Sequence, residues 1–321
     1  MIRLEALSKV YATPQGSMTA VDGVTFEVAS GQTCVLLGPS GCGKTTTLRM
    51  INRLVAPTSG KIYIEGSDTD TVDPVELRRG IGYVIQQIGL FPNMTVGENI
   101  GVVPRLLGWD APRRRRRAEE LLALLALPPR EFVDRYPSEL SGGQAQRVGV
   151  ARALAVDPPV LLMDEPFAAL DPVNREAVQD EFLRMQQKLR KTILFVSHDI
   201  DEAVKMADRI AIFNAGRLVQ FAAPDEMLAH PSDDFVAKFV GRDRTLKRLR
   251  LTRVRDVMTA ADGAVDVNAP TVSPDDDLRR VAALFLESGC ECIRCLDSDG
   301  RLVGVVTRQA VASRLAIDDS R

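Results

Sequence analysis

The sequence predicts an α/β protein: a mixed but mainly parallel sheet with flanking helices and a helical insertion, followed by a small α+β domain. Three observations carry this. The runs TCVLL (33–37), VLLM (160–163) and TILFV (192–196) are apolar throughout and bounded by polar residues, the texture of strands buried on both faces. Between the last two, Val178, Phe182, Met185 and Leu189 recur at four, three and four residues, one helix stripe that with its flanking strands makes a right-handed crossover. The turn GPSGCGKTT (38–46) follows the first run directly and opens the helix-period segment LRMINRLV.

At 321 residues the chain suits two domains, on a prior of roughly 150 residues each. An apolar fraction of 45 % supports a sizeable core, and a net charge of −2 implies no general attraction to nucleic acid or anionic lipid. There is no apolar run of about 18 residues, and MIRLEALSKV lacks the apolar centre of a signal peptide. The expectation is a soluble cytoplasmic chain, for which any membrane role would have to come through a partner. The five cysteines show no framework spacing and read as reduced thiols. Cys290, Cys292 and Cys295 in CECIRC could suggest a metal. With only three sulfurs, and histidines only at 198 and 230, a strand with small apolar thiols fits better.

Along the chain, IRLE and VTFEV alternate apolar and polar positions, which suits antiparallel strands, and KIYIEG (61–66) reads as a further strand. From about 90 to 156 helix formers dominate, in AEELLALLAL and QAQRVGVARALAV, so an inserted helical subdomain is expected there. The run Arg113 to Arg117 invites a nucleic-acid reading, but Pro112 opens a helix before it and Glu119 and Glu120 follow, which favours a solvated face. The α/β part is expected over 1–240, a basic linker over 241–254, and a second domain over 255–321. In that tail TVSPDDDLRRVAALFLESG reads as a helix capped by Ser273 with Pro274 in its first turn. CECIRCLDSDGRLVGVVTR reads as two strands joined by a turn at 297–300.

The chemistry begins with GxxxxGK[ST], matched by Gly38, Gly43, Lys44 and Thr45 after a strand and before a helix. Glycines at 38, 41 and 43 let the backbone N–H groups curl inward, and the helix N-terminus adds positive potential to the same hollow. Lys44 can then reach the β- and γ-phosphates of ATP while the Thr45 hydroxyl ligates Mg²⁺. In VLLMDE, Asp164 can hold that Mg²⁺ through its water shell and Glu165 can polarise an attacking water; a helix cap before Pro166 is the structural alternative. His198, in FVSHD, again ends a buried strand, so Lys44, Glu165 and His198 are expected to converge at one sheet edge.

LSGGQ at 140–144, together with the loop, VLLMDE, ALDP at 169–172 and the histidine in the same order, resembles the ATPases of ABC transporters through most of the first 240 residues. The resemblance implies a P-loop NTPase cassette working as a head-to-tail homodimer with two ATPs sandwiched between the chains. Ser141, Gly142, Gly143 and Gln144 precede a helix and would present its N-terminus to the γ-phosphate of the opposite chain. The loop residues Gly38, Pro39, Ser40, Gly41, Cys42, Gly43, Lys44, Thr45 and Thr46 would bind the nucleotide. Tyr11 matches the aromatic that stacks on adenine, Asp171 the residue that communicates across the dimer, and His198 the residue that holds the γ-phosphate. Gln86, chosen over Gln87 because it stands five residues before Phe91, matches the glutamine that reaches metal and water. Cys42 occupies a variable position, and its place in the loop implies sensitivity to thiol reagents when the site is empty.

The family is also known to seat a permease helix against the segment 86–99. With no membrane domain of its own, the chain resembles importer cassettes, served by separate permease subunits and a separate solute-binding protein, and placed on the inner face of the cell membrane. The tail resembles a single CBS motif, which implies pairing across the dimer and a nucleotide ligand at the pair. DRTLKRL followed by such a tail resembles the osmoprotectant type, carrying glycine betaine, choline, carnitine or proline betaine. Importers of ergothioneine or another small solute would look alike. ABC ATPases that act on DNA or ribosomes carry long coiled coils or two cassettes per chain, and this sequence has neither, so no nucleic-acid partner is expected.

Overall fold

The computed structural model describes residues 1–14, 16–86, 89–168, 170–260 and 268–315. The chain divides into two compact units, one of Met1–Asp199 with Met206–Phe221, the other of Ile200–Lys205 with the chain from Ala222 onward. Gln87 and Ala169, both touched by the sequence reading, lie outside the described residues.

A hairpin of β1 (Ile2–Thr13) and β2 (Gly16–Val28) opens the first unit, with Ile2 opposite Val28 and Tyr11 opposite Met18. β3 (Thr33–Leu37) runs into the glycine turn and α1 (Lys44–Ile51), followed by β4 (Ser59–Ile64), β5 (Ser67–Asp68), α2 (Pro74–Arg79) and β6 (Ile81–Val84). The expected helical insertion then appears as α3 (Val96–Ile100), α4 (Val102–Leu106), α5 (Ala111–Leu124), α6 (Pro129–Phe132) and α7 (Gly142–Ala153). β7 (Val160–Asp164), α8 (Pro172–Leu189), β8 (Thr192–Val196), α9 (Ile200–Met206), β9 (Arg209–Asn214) and β10 (Arg217–Ala222) complete the α/β part of the chain.

The alternating segments pair into a four-stranded antiparallel sheet, β2-β1-β4-β5, and the apolar runs into a six-stranded sheet, β10-β9-β3-β8-β7-β6. In the larger sheet β9, β3, β8, β7 and β6 run parallel, with Leu36 opposite Val196 and Asp164 opposite Val196 from the other side. The runs are uniformly apolar because both faces are covered. Cys34, Leu36, Leu162 and Val196 pack with Ile2, Leu4 and Phe26 of the antiparallel sheet. On the other face Phe195 meets Phe167 edge-on at 6.3 Å, and Phe167 meets Phe182 of α8 at 5.9 Å, contacts of about 0.5–1.5 kcal/mol each. Among the described residues no helix is long and apolar enough to cross a membrane.

Asp110 caps α5, its carboxylate accepting from Arg113 N at 2.7 Å. Arg115 pairs with Glu119 and Asp134 and Arg117 with Glu120, so part of the arginine run is neutralised on the helix surface itself.

In the second unit the stretch expected as a basic linker is folded. α10 (Pro224–Ala229), α11 (Asp234–Val240) and α12 (Arg244–Arg248) lead to a turn of 3₁₀ helix at Leu249–Leu251. Lys247 Nζ donates to Asp243 Oδ1 and to the Val240 carbonyl, Arg248 pairs with Asp225 at 2.8 Å, and Arg250 pairs with Asp201 at 3.4 Å. The carboxylates that neutralise this basic run lie up to 49 residues away in sequence, which is why the run read as unpaired. β11 (Thr271–Val272), α13 (Leu278–Ser288), β12 (Cys292–Leu296), β13 (Leu302–Thr307) and α14 (Arg308–Leu315) follow, in a sheet of order β11-β12-β13 over a core of Leu249, Val254, Leu278, Val281, Phe285, Ile293, Cys295 and Val306. The cap of α13 is Asp277, whose carboxylate accepts from Arg280 N at 2.9 Å, and not Ser273. Ser273 instead heads a tight turn closed by Asp276, which delays the helix by a turn.

Candidate active site

The C-terminal ends of β3, β7 and β8 lie side by side in the parallel sheet, so the residues that follow each strand meet at one edge. There a cavity of about 490 Å³ is lined by Ser40, Gly41, Cys42, Gly43, Lys44, Thr45, Thr46, Gln86, Glu165 and His198. The glycine turn reaches this shape because two positions admit nothing larger. A Cβ on Gly38 would sit 2.3 Å from the Phe213 carbonyl oxygen, and one on Gly43 would sit 2.4 Å from the Ala20 carbonyl oxygen. Both have positive φ, +143° and +105°, which glycine alone adopts without strain.

Lys44 is folded back onto its own loop, Nζ donating to the Gly38 carbonyl at 2.7 Å and the Pro39 carbonyl at 2.9 Å. These neutral carbonyls satisfy the ammonium, and an anion in the hollow would draw it forward by offering charge instead of dipole. Cys42 corrects an expectation: its side chain is turned under the loop, 4 % exposed and 3.7 Å from Lys44 Nζ, so the loop itself shields the thiol. Its position in the motif could not reveal that it fills the space against Gly38.

Across the hollow, Thr45 Oγ1 donates to Asp164 Oδ1 at 3.0 Å. Burial, with the Glu165 charge beside it, holds the Asp164 carboxyl above the usual carboxylate range, against the opposing pull of the Thr45 hydroxyl, Arg49 and Lys44. A desolvated carboxylate next to a hydroxyl, both hard oxygen donors, is a set that fits Mg²⁺. Arg49 escaped the sequence reading. It follows Thr45 by four residues on α1, hence on the same helix face, and it hydrogen-bonds Tyr83, whose hydroxyl burial and Asp164 push up.

Glu165 begins the chain's departure from β7 in the left-handed region, φ 47°, with its N–H donating to the Val196 carbonyl at 3.1 Å. Strain of this kind on a non-glycine residue costs about 1–3 kcal/mol and is kept where the surroundings over-determine it. Its Oε2 is a meeting point: Gln86 Nε2 donates to it at 3.1 Å, and His198 Nδ1 lies 3.5 Å away. The His198 side chain is largely exposed and the Glu165 side chain mostly covered, at 62 % and 24 %.

The remaining expected residues lie elsewhere. Tyr11, on β1, carries Lys9 Nζ 5.0 Å from its ring centre and does not line the cavity. Ser141, Gly142, Gly143 and Gln144 form the start of α7, where Ser141 Oγ accepts from Gln144 N and Gln144 Oε1 accepts from Ser141 N, a reciprocal cap. The Gly142 and Gly143 positions leave the approach open, with no atom closer than 3.5 Å to an added Cβ. Asp171 is exposed, its carbonyl accepting from Arg175 N at the head of α8.

The ABC transporter family profile matches residues 21–168 and the CBS domain profile residues 254–317. The chain is similar to the osmoprotectant import ATP-binding protein OsmV of Salmonella typhimurium, 56 % identical over 96 % of this chain and 80 % of the relative. It is 49 % identical to the glycine betaine/carnitine/choline transport ATP-binding protein OpuCA of Bacillus subtilis, over 95 % of this chain and 78 % of that one. The glycine betaine uptake system ATP-binding protein YehX of Escherichia coli is 43 % identical over 95 % of this chain and 97 % of its own length. Among solved structures, a dimeric post-hydrolysis state of the ATP-binding cassette MJ0796, bound to ADP and Pi, superposes with a TM-score of 0.62 at 35 % identity, over 70 % of this chain and 98 % of that one. The chain belongs to the ABC transporter family, as one of its ATP-binding ATPase subunits.

Proposed function

We propose that this chain energises the import of a quaternary-amine osmoprotectant such as glycine betaine, choline or carnitine by hydrolysing ATP beneath separate permease subunits. The observation that carries the ATPase chemistry is the gathering of Gln86 and His198 on one carboxylate oxygen of Glu165, at the mouth of the glycine loop. The solute class rests on the names of the relatives. In this reading Lys44 and the loop N–H groups hold the β- and γ-phosphates, Thr45, Asp164 and Gln86 would hold Mg²⁺, and Tyr11 stacks on the adenine. Mg²⁺ held there would supply charge neutralisation for the transferred phosphoryl group. Glu165 takes a proton from the water that attacks the γ-phosphorus in line while the bond to the β-phosphate oxygen breaks and ADP leaves, and His198 orients that water and contacts the γ-phosphate.

Two chains are proposed to close head to tail, the Ser141–Gln144 turn of each facing the loop of the other, with Asp171 carrying the state of one site to its twin. A groove of about 610 Å³, lined by apolar Met94, Val102, Leu106 and Val133 together with charged Glu98, Arg105, Arg114, Arg115 and Asp134, is our candidate seat for a permease helix. We retain 1–240 as the working cassette, with its helical subdomain at about 90–156, and 255–321 as a tail that pairs with its copy on the second chain, where an adenosine-containing ligand would bind. The folded segment 241–254 joins them. A solute-binding protein acts only through the permease, on the far side of the membrane.

The test has two arms. Purified Glu165→Gln protein should lose at least about 10²-fold in ATP turnover while still binding nucleotide. Cells carrying it should lose uptake of labelled betaine and choline. Undiminished turnover would remove Glu165 as the base, and uptake of none of betaine, choline and carnitine by wild-type cells would remove the solute class.

A further inference from the structure

We infer that Arg152 is a positioning residue for Gln86: the last turn of α7 holds the chain on both sides of that glutamine and so sets where its amide points. This rests on the ATPase reading above, with Gln86 placed at the reacting water. Gln86 is exposed, and its side chain bonds to Glu165 alone among the contacts described. Its aim therefore depends on the backbone that carries it. Before Gln86, β6 lies so close under α7 that a Cβ on Gly82 would sit 2.6 Å from the Ala153 carbonyl oxygen. After it, Arg152 Nη1 donates to the Gly89 carbonyl at 2.7 Å.

Burial lowers the Arg152 guanidinium below its ordinary pKa, and its bond to the Gly89 carbonyl, at an exposed position, is charge-assisted and so directional. Beyond Gly89 the chain is tied again by Asn99, fully buried, which accepts from Phe91 N and donates to the Phe91, Met94 and Thr95 carbonyls. α7 begins at the Ser141 turn and ends at this grip, some 18 Å apart at about 1.5 Å per residue. A tilt of the helix that brings its first turn to a nucleotide must therefore also pull on the Gly89 carbonyl, three residues after Gln86, and on β6 before it.

The experiment measures kcat and KM for ATP in full-length wild type, Gln86→Ala, Arg152→Met, Arg152→Lys and the Gln86→Ala/Arg152→Met double variant, with Glu165→Gln as the inactive control. Arg152→Met should lose roughly tenfold or more in kcat with KM within about twofold, because a misplaced group weakens the transition state and leaves ATP binding alone. Arg152→Lys, which can still donate to the carbonyl, should recover most of the loss. In the Gln86→Ala background Arg152→Met should cost less than about twofold more, since the residue it positions is gone. If Arg152→Met fails to fold, Arg152→Lys against Arg152→Gln carries the same comparison in both backgrounds. Wild-type kcat in Arg152→Met, an undiminished loss in the Gln86→Ala background, or full activity of Gln86→Ala would each overturn the inference while leaving the ATPase reading standing. Turnover in Glu165→Gln equal to wild type would overturn both.

Discussion

Replacing Gly43 by alanine puts a methyl carbon 2.4 Å from the Ala20 carbonyl oxygen and 3.2 Å from Val21 Cγ2, at a residue whose φ is +105°. Ordinary contact begins near 3.4 Å, so the loop and β2 must part by about 1 Å, and β2 is tied along its length to β1. Left-handed strain costs a non-glycine residue about 1–2 kcal/mol, and overpacking adds about 1–3 kcal/mol, so the first unit should lose about 2–5 kcal/mol. Gly41 is the internal control. It too has positive φ, +79°, but an added Cβ meets nothing within 4 Å, so Gly41→Ala should cost the strain alone, about 1–2 kcal/mol. Urea unfolding of nucleotide-free protein, followed by the emission of Trp109, reads the first unit alone because this is the sole tryptophan of the chain. Gly43→Ala should unfold at lower urea than Gly41→Ala and bind ATP about tenfold more weakly, since the shift moves N–H groups that face the hollow. Equal destabilisation by the two substitutions, or wild-type stability in Gly43→Ala, would refute the close approach as the reason glycine stands there.

Two further outcomes follow from the same hollow and from the thiols. An acid whose folded-state pKa is raised favours folding below the ordinary carboxylate range and penalises it as pH rises through the raised value. Asp164→Asn keeps an oxygen for the Thr45 hydroxyl, so nucleotide-free Asp164→Asn should melt above wild type at pH 8 and level with it near pH 4, while ATP turnover falls. A lower melting temperature at pH 8 would contradict the burial penalty. Alkylation by a maleimide, mapped by mass spectrometry, should reach the partly exposed Cys290 and Cys292 before the buried Cys34, Cys42 and Cys295. Labelling of Cys42 as fast as Cys290 in the absence of nucleotide would show that the loop does not shield it.

Much was legible because it is local. The phosphate loop needs glycine where φ is positive, a lysine and a hydroxyl in consecutive positions, and those requirements fall within nine residues. The strands carrying Asp164, Glu165 and His198 declare themselves by apolar runs, since a parallel strand covered on both faces admits few polar residues. What short-range pattern cannot convey is which distant group meets a side chain. The basic stretch after Gly241 looked like an open linker because Asp201 and Asp225, which pair with Arg250 and Arg248, belong to other helices. Ser273 and Asp277 are both competent caps, and which one starts α13 depends on the turn closed by Asp276.

The amino-acid order by itself thus determined the α/β class, the loop that cradles phosphate and the carboxylates and histidine at the strand ends, because each is dictated by backbone geometry or by burial within a few residues. Tertiary structure alone decided that Cys42 is hidden, that Glu165 is strained and shared between Gln86 and His198, and that Arg152 reaches the Gly89 carbonyl. Cys42 is hidden by the way its own loop folds back, while the other two depend on chain segments tens of residues apart coming within 3 or 4 Å, distances that only the packing of sheet against helix sets.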